Sequence, residues 1–270
     1  MTKNLVILTD LDGTLLDKKT LQPGPANKYL QLCTELNIPV VFVSAKTRAE
    51  IELLRIELNN RSPFISENGG GLYIPAVDFP NLQNFHRDGP YWYWYANESI
   101  DKLREGLKKA AQKSNVEVKS FSQMTVEDVS SLTGLNLHQA AFAKMRNHDE
   151  PFVIIDEDPA KLSSLRNEIE KQGYRYTTGG YLHHITDDFD KGKAVKLLMD
   201  VYRNLNPDIK FAGIGDGPND RPLLEIADYP FLVRKPDNSY NTEVVFDGLT
   251  VTKGIGPYGF AEAVESSIKQ

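Results

Sequence analysis

The chain has almost no cysteine: Cys33 stands alone among 270 residues. An intrachain disulfide framework is therefore excluded. The run Tyr29-Leu30-Gln31-Leu32-Cys33 reads as the apolar side of a helix, which predicts a buried, inert thiol rather than a nucleophile. Long apolar runs are missing as well. The first apolar stretch, Leu5 to Leu8, falls far short of the roughly 20 residues of a membrane span and is too short for a signal-peptide core. The expectation is a cytoplasmic protein with no membrane partner. Positive charge is also in short supply: 31 Lys and Arg stand against 37 Asp and Glu, a formal net charge of −6. That balance argues against a nucleic-acid partner, which calls for a basic face. It leaves room for a local pocket that binds an anion. There are no internal repeats or low-complexity segments, and nothing sets an oligomeric state.

What is present is ordinary globular composition, 40% hydrophobic and 25% charged, in a length that allows one or two domains. Leu5-Val6-Ile7-Leu8 stops at Thr9-Asp10 and reads as a strand buried on both faces, as in a parallel sheet. A helix follows with Ala26, Tyr29, Leu30, Cys33 and Leu36 on one face. Pro39 to Val43 is a second buried run, ending at Ser44. Thr47 and Glu50 then form a capping box that opens a helix through Ile51, Leu54 and Leu58. Pro63 to Ser66 is a third short strand. This alternation is the grammar of a doubly wound, Rossmann-like parallel sheet, hence fold class α/β.

Near residue 75 the pattern changes. The aromatic run Tyr91-Trp92-Tyr93-Trp94-Tyr95 predicts a strand or packed loop in a second core. Helices over 97–113, 125–132, 136–147 and 160–172 alternate with the strand Phe152–Ile155 and with Tyr174–Thr177 and Tyr181–Ile185, the last two joined by a turn at Gly179-Gly180. This is an inserted α+β unit. Buried-sheet grammar returns with a helix from Lys191, the strand Phe211 to Gly215 ending at Asp216, a helix over Pro222–Ala227, the strand Pro230 to Val233 and a closing helix, Tyr258–Ile268. The expected division is a core of 1–78 plus 187–270 and an insert of 79–186.

Four polar clusters fall just past strand ends or at a helix start. They are Asp10-Leu11-Asp12-Gly13-Thr14, Ser44-Ala45-Lys46-Thr47, Lys191, and Asp216-Gly217-Pro218-Asn219-Asp220. Each alone could be a turn with a helix cap. Together they lie at the sheet edge where open α/β folds bind ligands. They meet the needs of phosphoryl transfer, in which a divalent cation offsets the repulsion between an attacking carboxylate and a phosphate dianion. Asp10 and Asp216 offer hard oxygen ligands suited to Mg²⁺. Asp12 can protonate the leaving oxygen and then activate water. Gly13 permits a tight curl that turns N–H groups toward the phosphate. Ser44 can donate to a phosphoryl oxygen, and Lys191 adds a compact positive charge.

These four motifs, Asp10-Leu11-Asp12-Gly13-Thr14-Leu15, Ser44, Lys191-Gly192 and Gly215-Asp216-Gly217-Pro218-Asn219-Asp220, resemble those of the haloacid dehalogenase-like superfamily. The insert lies where that superfamily places its type IIB caps. The resemblance implies Asp10 as nucleophile and Asp12 as acid/base, with phosphate bound by Leu11, Gly13, Ser44, Ala45 and Lys191. It implies Mg²⁺ held by Asp10, the backbone carbonyl of Asp12 and Asp216, with Asn219 and Asp220 in support. Ser44-Ala45-Lys46-Thr47-Arg48-Ala49-Glu50, Ser66-Glu67-Asn68-Gly69-Gly70, Leu132-Thr133-Gly134-Leu135 and Glu150-Pro151-Phe152 are similar to the mannosyl-3-phosphoglycerate phosphatases. That likeness implies a small phosphorylated glycoside as partner, with glycosylglycerate as product. Sucrose-phosphate-type and Cof-like sugar phosphatases, a phosphohexomutase and a non-catalytic sugar-phosphate-binding regulator are the rival readings. Where the mannosyl-3-phosphoglycerate phosphatases often carry Gly-Gly-Arg, this chain has Gly179-Gly180-Tyr181, a change that bears on the glycerate carboxylate. Candidate substrate contacts are Lys46, Glu67, Asn68, Arg146, His183 and His184. Arg146 is expected on a helix and facing solvent. His183 and His184 occupy opposite faces of one strand, so one at most can face a ligand.

Overall fold

The structure is a computed structural model that describes residues 4–79, 81–96, 99–155, 159–179 and 182–270, with the backbone alone at 160 and 179. The first part of the chain gives β1 (Leu5–Thr9), α1 (Ala26–Glu35), β2 (Val40–Val43), α2 (Arg48–Glu57), β3 (Phe64–Ser66), β4 (Gly71–Pro75), β5 (His86–Asp88) and β6 (Tyr91–Tyr95). The middle gives α3 (Ile100–Ser114), β7 (Val118–Ser120), α4 (Val126–Thr133), α5 (Leu137–Ala143), β8 (Asp149–Ile154), α6 (Pro159–Glu170), β9 (Arg175–Gly179) and β10 (Leu182–Thr186). The last part gives α7 (Lys191–Leu205), β11 (Lys210–Gly215), α8 (Arg221–Ile226), β12 (Tyr229–Arg234), β13 (Thr250–Ile255) and α9 (Pro257–Lys269).

The chain separates into two compact units. The first comprises Met1–Ala45, Leu53–Trp94 and Asp190–Gln270, and the second Lys46–Glu52 with Tyr95–Phe189. In the first unit a nine-stranded sheet runs β13-β12-β11-β1-β2-β3-β4-β6-β5. β1 is parallel to both β2 and β11, and the parallel pairing continues through β12 to β13 and from β2 to β3. The central strands are apolar save for Thr9 because both faces are covered: every residue of β1 and β2 is buried. One covering helix is α7, whose Ala194, Val195 and Leu198 pack with Val6, Leu8 and Val41. Truncating a residue such as Leu198 to alanine is expected to cost about 2–5 kcal/mol. Asp190 caps that helix by accepting the Lys193 N–H at 2.9 Å. The expected capping box at α2 forms: Thr47 N–H donates to Glu50 Oε2 at 2.8 Å, and Glu50 N–H to Thr47 Oγ1 at 3.2 Å.

The aromatic run does not begin a second core. As β6 it pairs antiparallel with β5 and sits beside β4, extending the far edge of the nine-stranded sheet. Phe64 and Tyr73 stack there with Tyr91 edge-on to both, and Arg55 donates to the Tyr91 hydroxyl at 2.7 Å. The longer segment of the second unit accordingly runs from Tyr95, where 79 was expected, to Phe189.

That unit is built on an antiparallel four-stranded sheet, β7-β8-β10-β9. Strand alternation puts Phe152, Ile154 and Ile185 on the face packed by Leu103 and Leu107 of α3 and Leu165 and Ile169 of α6. Val153 and Leu182 meet the smaller cluster of Phe121, Met124, Val129 and Ala140 around α4 and α5. Both short helices carry capping boxes, Thr125 with Asp128 and Asn136 with Gln139. Gly180 and Tyr181, at the expected hairpin turn and at the departure from Gly-Gly-Arg, lie outside the described residues. Among the described residues no helix is long and apolar enough to cross a membrane.

Candidate active site

β1 ends where its apolar run ends. The Asp10 N–H still joins the ladder, donating to the Ile214 carbonyl at 2.9 Å, and its buried side chain emerges at the carboxyl edge of the sheet. The backbone then folds sharply. Leu16 N–H reaches the Leu11 carbonyl and Gly13 N–H the Leu16 carbonyl, each at 2.8 Å. The Gly13 N–H is thus consumed inside the turn and does not face a ligand, contrary to the expectation from sequence. Gly13 is required on two counts. Its φ of +94° is left-handed, and a Cβ there would lie 2.9 Å from Asp216 Oδ2. Leu11 is buried, Asp12 is half-buried in the turn, and Thr14 Oγ1 donates to Asp216 Oδ1 at 3.4 Å.

Lys191, in the first turn of α7, is fully buried. Its ammonium donates to Asp10 Oδ1 and to Asp220 Oδ1, both at 2.6 Å. Asp220 Oδ2 in turn accepts the N–H groups of Asp216 at 3.0 Å and Gly217 at 2.9 Å. The loop after β11 is thereby tied to α7. Carboxylate oxygens of Asp10, Asp216 and Asp220 lie within 4.8 Å of one another. Three carboxylates around one ammonium carry a net charge of −2 when ionised. Burial, then the neighbouring Asp220, push Asp216 up to about 6 against the weaker pull of Lys18, Lys191 and Lys235. Burial also raises Asp10 well above the usual carboxylate range despite Lys191, with Asp220 and Asp216 adding to the rise. Burial would lower Lys191, but Asp10 and Asp220 hold it above its ordinary value. An excess of hard anionic oxygen at one point fits a divalent cation such as Mg²⁺. The side chain of Asp12 stands outside this carboxylate group and that of Asp220 inside it.

Ser44 follows β2 and is 1% exposed, with Ala45 half-buried beside it. Its N–H donates to the Ile65 carbonyl at 3.0 Å, and its own carbonyl accepts the Asn68 N–H at 2.9 Å. Asn219 Nδ2 donates to Asn68 Oδ1 at 3.1 Å, so Asn219 faces Asn68. Glu67, expected as a candidate substrate contact, is fully buried in the turn.

The remaining candidates belong to the second unit. Lys46 is half-buried and its ammonium lies 4.0 Å from Glu50 Oε1. Arg146 lies beyond the end of α5, and its side chain is 8% exposed. It donates through Nε to the Ala143 carbonyl at 3.0 Å and through Nη1 to Asp149 Oδ2 at 3.4 Å. The expected solvated helical position is therefore wrong, because a buried carboxylate on β8 draws the guanidinium in. His183 stacks on Phe152 with ring centres 5.6 Å apart and bonds to Tyr176. His184, on the other face, meets both oxygens of Asp149 through Nδ1 at 2.9 and 3.0 Å. Sequence reasoning missed Asp149. Burial would raise it, but His184, Arg146 and His148 hold its carboxyl below the usual range. The available signal was three polar residues, His148-Asp149-Glu150, at the start of an apolar strand. Burial pushes the Cys33 thiol up to about 12, which keeps it protonated and inert.

A sequence profile for the haloacid dehalogenase-like hydrolases matches residues 7–239. The chain belongs to that family. Members of it with similar sequence include a glucosyl-3-phosphoglycerate/mannosyl-3-phosphoglycerate phosphatase of Methanococcoides burtonii, 38% identical over 260 residues, which are 96% of this chain and 95% of that protein. A mannosyl-3-phosphoglycerate phosphatase of Pyrococcus furiosus is 31% identical over 246 residues, 90% of this chain and 98% of its own length. The fold is also that of a haloacid dehalogenase-like hydrolase from Bacteroides thetaiotaomicron, with TM-score 0.67 and 19% identity, over 98% of this chain and 100% of that one. Membership of the family makes the chain a hydrolase.

Proposed function

We propose that this hydrolase is a Mg²⁺-dependent phosphatase for a sugar-type phosphomonoester, with glucosyl- or mannosyl-3-phosphoglycerate as the preferred substrate. The observation that carries the reading is Lys191, held at 2.6 Å from Asp10 and from Asp220, with Asp216 in reach of both carboxylates. The names of the relatives support the glycoside.

In the proposed reaction an Asp10 carboxylate oxygen attacks phosphorus, and the bond from phosphorus to the glyceryl oxygen breaks. Asp12 gives its proton to that leaving oxygen, so the glycosylglycerate departs neutral at the hydroxyl. Water then attacks the aspartyl phosphate while Asp12 takes its proton, and the bond between Asp10 and phosphorus breaks to release inorganic phosphate. Lys191 and Ser44 bind the transferring oxygens. Asp10 and Asp216, with the backbone carbonyl of Asp12, would hold the cation, which when bound offsets phosphate charge and aligns the groups. Asp220 orients Lys191 and the loop bearing Asp216, and Asn219 supports that loop.

Phosphate release should be measured from both glycosyl-3-phosphoglycerates, several sugar phosphates and p-nitrophenyl phosphate, with Mg²⁺ and with chelator. The expected result is Mg²⁺-dependent release, with the highest kcat/KM on a glycosyl-3-phosphoglycerate and none detectable in Asp10→Asn. Equal rates in chelator, or a turnover-competent and folded Asp10→Asn protein, would end the reading.

A further inference from the structure

The turn after β3 is unusual. Glu67, Asn68 and Gly69 have φ of +49°, +56° and +107° in succession. A run of left-handed residues that includes a buried glutamate is costly and persists only when its surroundings impose it. Those surroundings are three pieces of the proposed phosphoryl-transfer site. The Asn68 N–H donates to the Ser44 carbonyl at 2.9 Å. Asn68 Oδ1 accepts from Asn219 Nδ2, in the loop between Asp216 and Asp220, at 3.1 Å. Gly69 lies so close to the start of α7 that a Cβ would sit 2.2 Å from the Asp190 carbonyl oxygen, next to Lys191. The turn touches the ends of β2, β11 and α7 at once, yet its own carboxylate is buried away from solvent.

We propose that Asn68 is a positioning residue, whose main-chain N–H and side-chain oxygen lock the Ser44 segment to the Asp216–Asp220 loop so that phosphate-binding and cation-binding groups hold one register. The left-handed backbone is what allows both bonds. It aims the N–H at β2 while the carboxamide reaches sideways to Asn219. Asparagine tolerates this conformation and supplies the acceptor, whereas alanine would supply neither. Outer partners of this kind hold ligands in place without touching the ion. The inference rests on the phosphatase reading for its catalytic consequence but not for its effect on cation binding.

The test is a double-mutant cycle read by Mg²⁺ calorimetry on the chelator-treated protein, alongside kinetics with p-nitrophenyl phosphate. N68G keeps the left-handed backbone and its N–H but removes the carboxamide. Its Mg²⁺ affinity and kcat are expected to fall about tenfold, with KM nearly unchanged and the melting temperature held. N219A should show a loss of similar size, and the double variant should be no worse than either single one. N68D, which keeps an acceptor oxygen, should bind Mg²⁺ at least as well as the wild type, and it serves as the folded comparison if N68G is unstable. Wild-type Mg²⁺ affinity in N68G, multiplicative losses in the double variant, or a tenfold loss in N68D would overturn the proposal. If the wild type released no phosphate, the phosphatase reading would fall while the Mg²⁺ cycle still decided the role of Asn68.

Discussion

Lys191 donates to Asp10 across 2.6 Å, with the lysine side chain fully buried and the aspartate side chain only 9% exposed. A buried ammonium between two carboxylates is held by both and offsets part of their charge. Removing one partner leaves the others uncompensated. Lys191→Met is therefore expected to destabilise the metal-free protein by about 3–5 kcal/mol. It should lower kcat by about two to three orders of magnitude through loss of a phosphate-binding charge. Mg²⁺ should recover part of the stability and little of the rate. Thermal unfolding with and without Mg²⁺, together with phosphate-release kinetics, checks both halves. A variant as stable and active as the wild type would remove Lys191 from the site.

Asp216 makes the stability of the metal-free protein pH-dependent with an unusual sign. Its folded-state pKa of about 6 exceeds its ordinary value of 3.8, so the native state binds a proton that the unfolded chain releases. Stability should then fall as pH rises through the window between those values. The cost is fully present above about pH 6 and amounts to on the order of 3 kcal/mol. Saturating Mg²⁺ should reverse the slope, since the cation requires the ionised carboxylate. Asp216→Asn should remove its own share of the metal-free slope, leaving that of Asp10, which burial also raises, and should weaken Mg²⁺ binding and raise the melting temperature near neutral pH. Melting curves of both proteins from pH 4.5 to 8 test this, and a wild-type minus Asp216→Asn stability difference that did not fall as pH rises without metal would contradict it.

The strand ends that carry Asp10, Ser44 and Asp216 were legible because a parallel strand buried on both faces announces itself as an unbroken apolar run, and the break in that run marks the sheet edge. Asp10, Ser44 and Asp216 all stand at such breaks. The capping box of Thr47 and Glu50 was equally local and formed as expected. What escaped the sequence was long-range. Nothing within Tyr91–Tyr95 specifies which sheet it joins, and the pairing beside β4 moved it from the insert to the core sheet. β13 was missed because Thr250–Ile255 lies at a sheet edge and keeps little apolar pattern. Arg146 was misplaced because its partner, Asp149, is visible only once β8 is in place. The place of Asp220 within the carboxylate group likewise depends on a loop that returns its side chain toward Lys191.

Gly13 connects the two aspartate motifs sterically. Alanine there would need a positive φ and would press on Asp216 Oδ2 from 2.9 Å. Gly13→Ala should cost about 1–3 kcal/mol in stability, from the backbone strain and the contact together. It should also displace the Asp216 carboxylate, weakening Mg²⁺ binding more than it changes KM. Calorimetric Mg²⁺ titration beside unfolding curves separates the two effects. Unchanged Mg²⁺ affinity in a destabilised variant would mean that Asp216 yields without moving its oxygens from the cation.

The proposed chemistry at Asp10, Asp12, Ser44 and Lys191 acts on a phosphoryl group and is indifferent to what leaves. Discrimination among phosphate esters is then expected from side chains outside that set, and Arg146 and His184 are the candidates to test. A glycosyl-3-phosphoglycerate offers sugar hydroxyls and a carboxylate, so hydrogen-bonding groups and a cation are needed to read it. Arg146 and His184 supply both kinds, and each is held in one orientation by Asp149. Fixed orientation reduces the entropy lost on binding, which suits a recognition role. If the proposed glycosyl-3-phosphoglycerate is the substrate, His184→Ala and Arg146→Ala are expected to lower its kcat/KM by about 1–3 kcal/mol, the scale of a lost polar contact. The same variants should leave p-nitrophenyl phosphate within about twofold, since that ester has no hydroxyls or carboxylate to be read. Because Arg146→Ala also leaves Asp149 with less compensation, unfolding curves should accompany the kinetics, and His184→Gln gives a milder comparison. Losses that run in parallel for both substrates would mean that this cluster only stabilises its own unit and that specificity for the glycoside is written elsewhere.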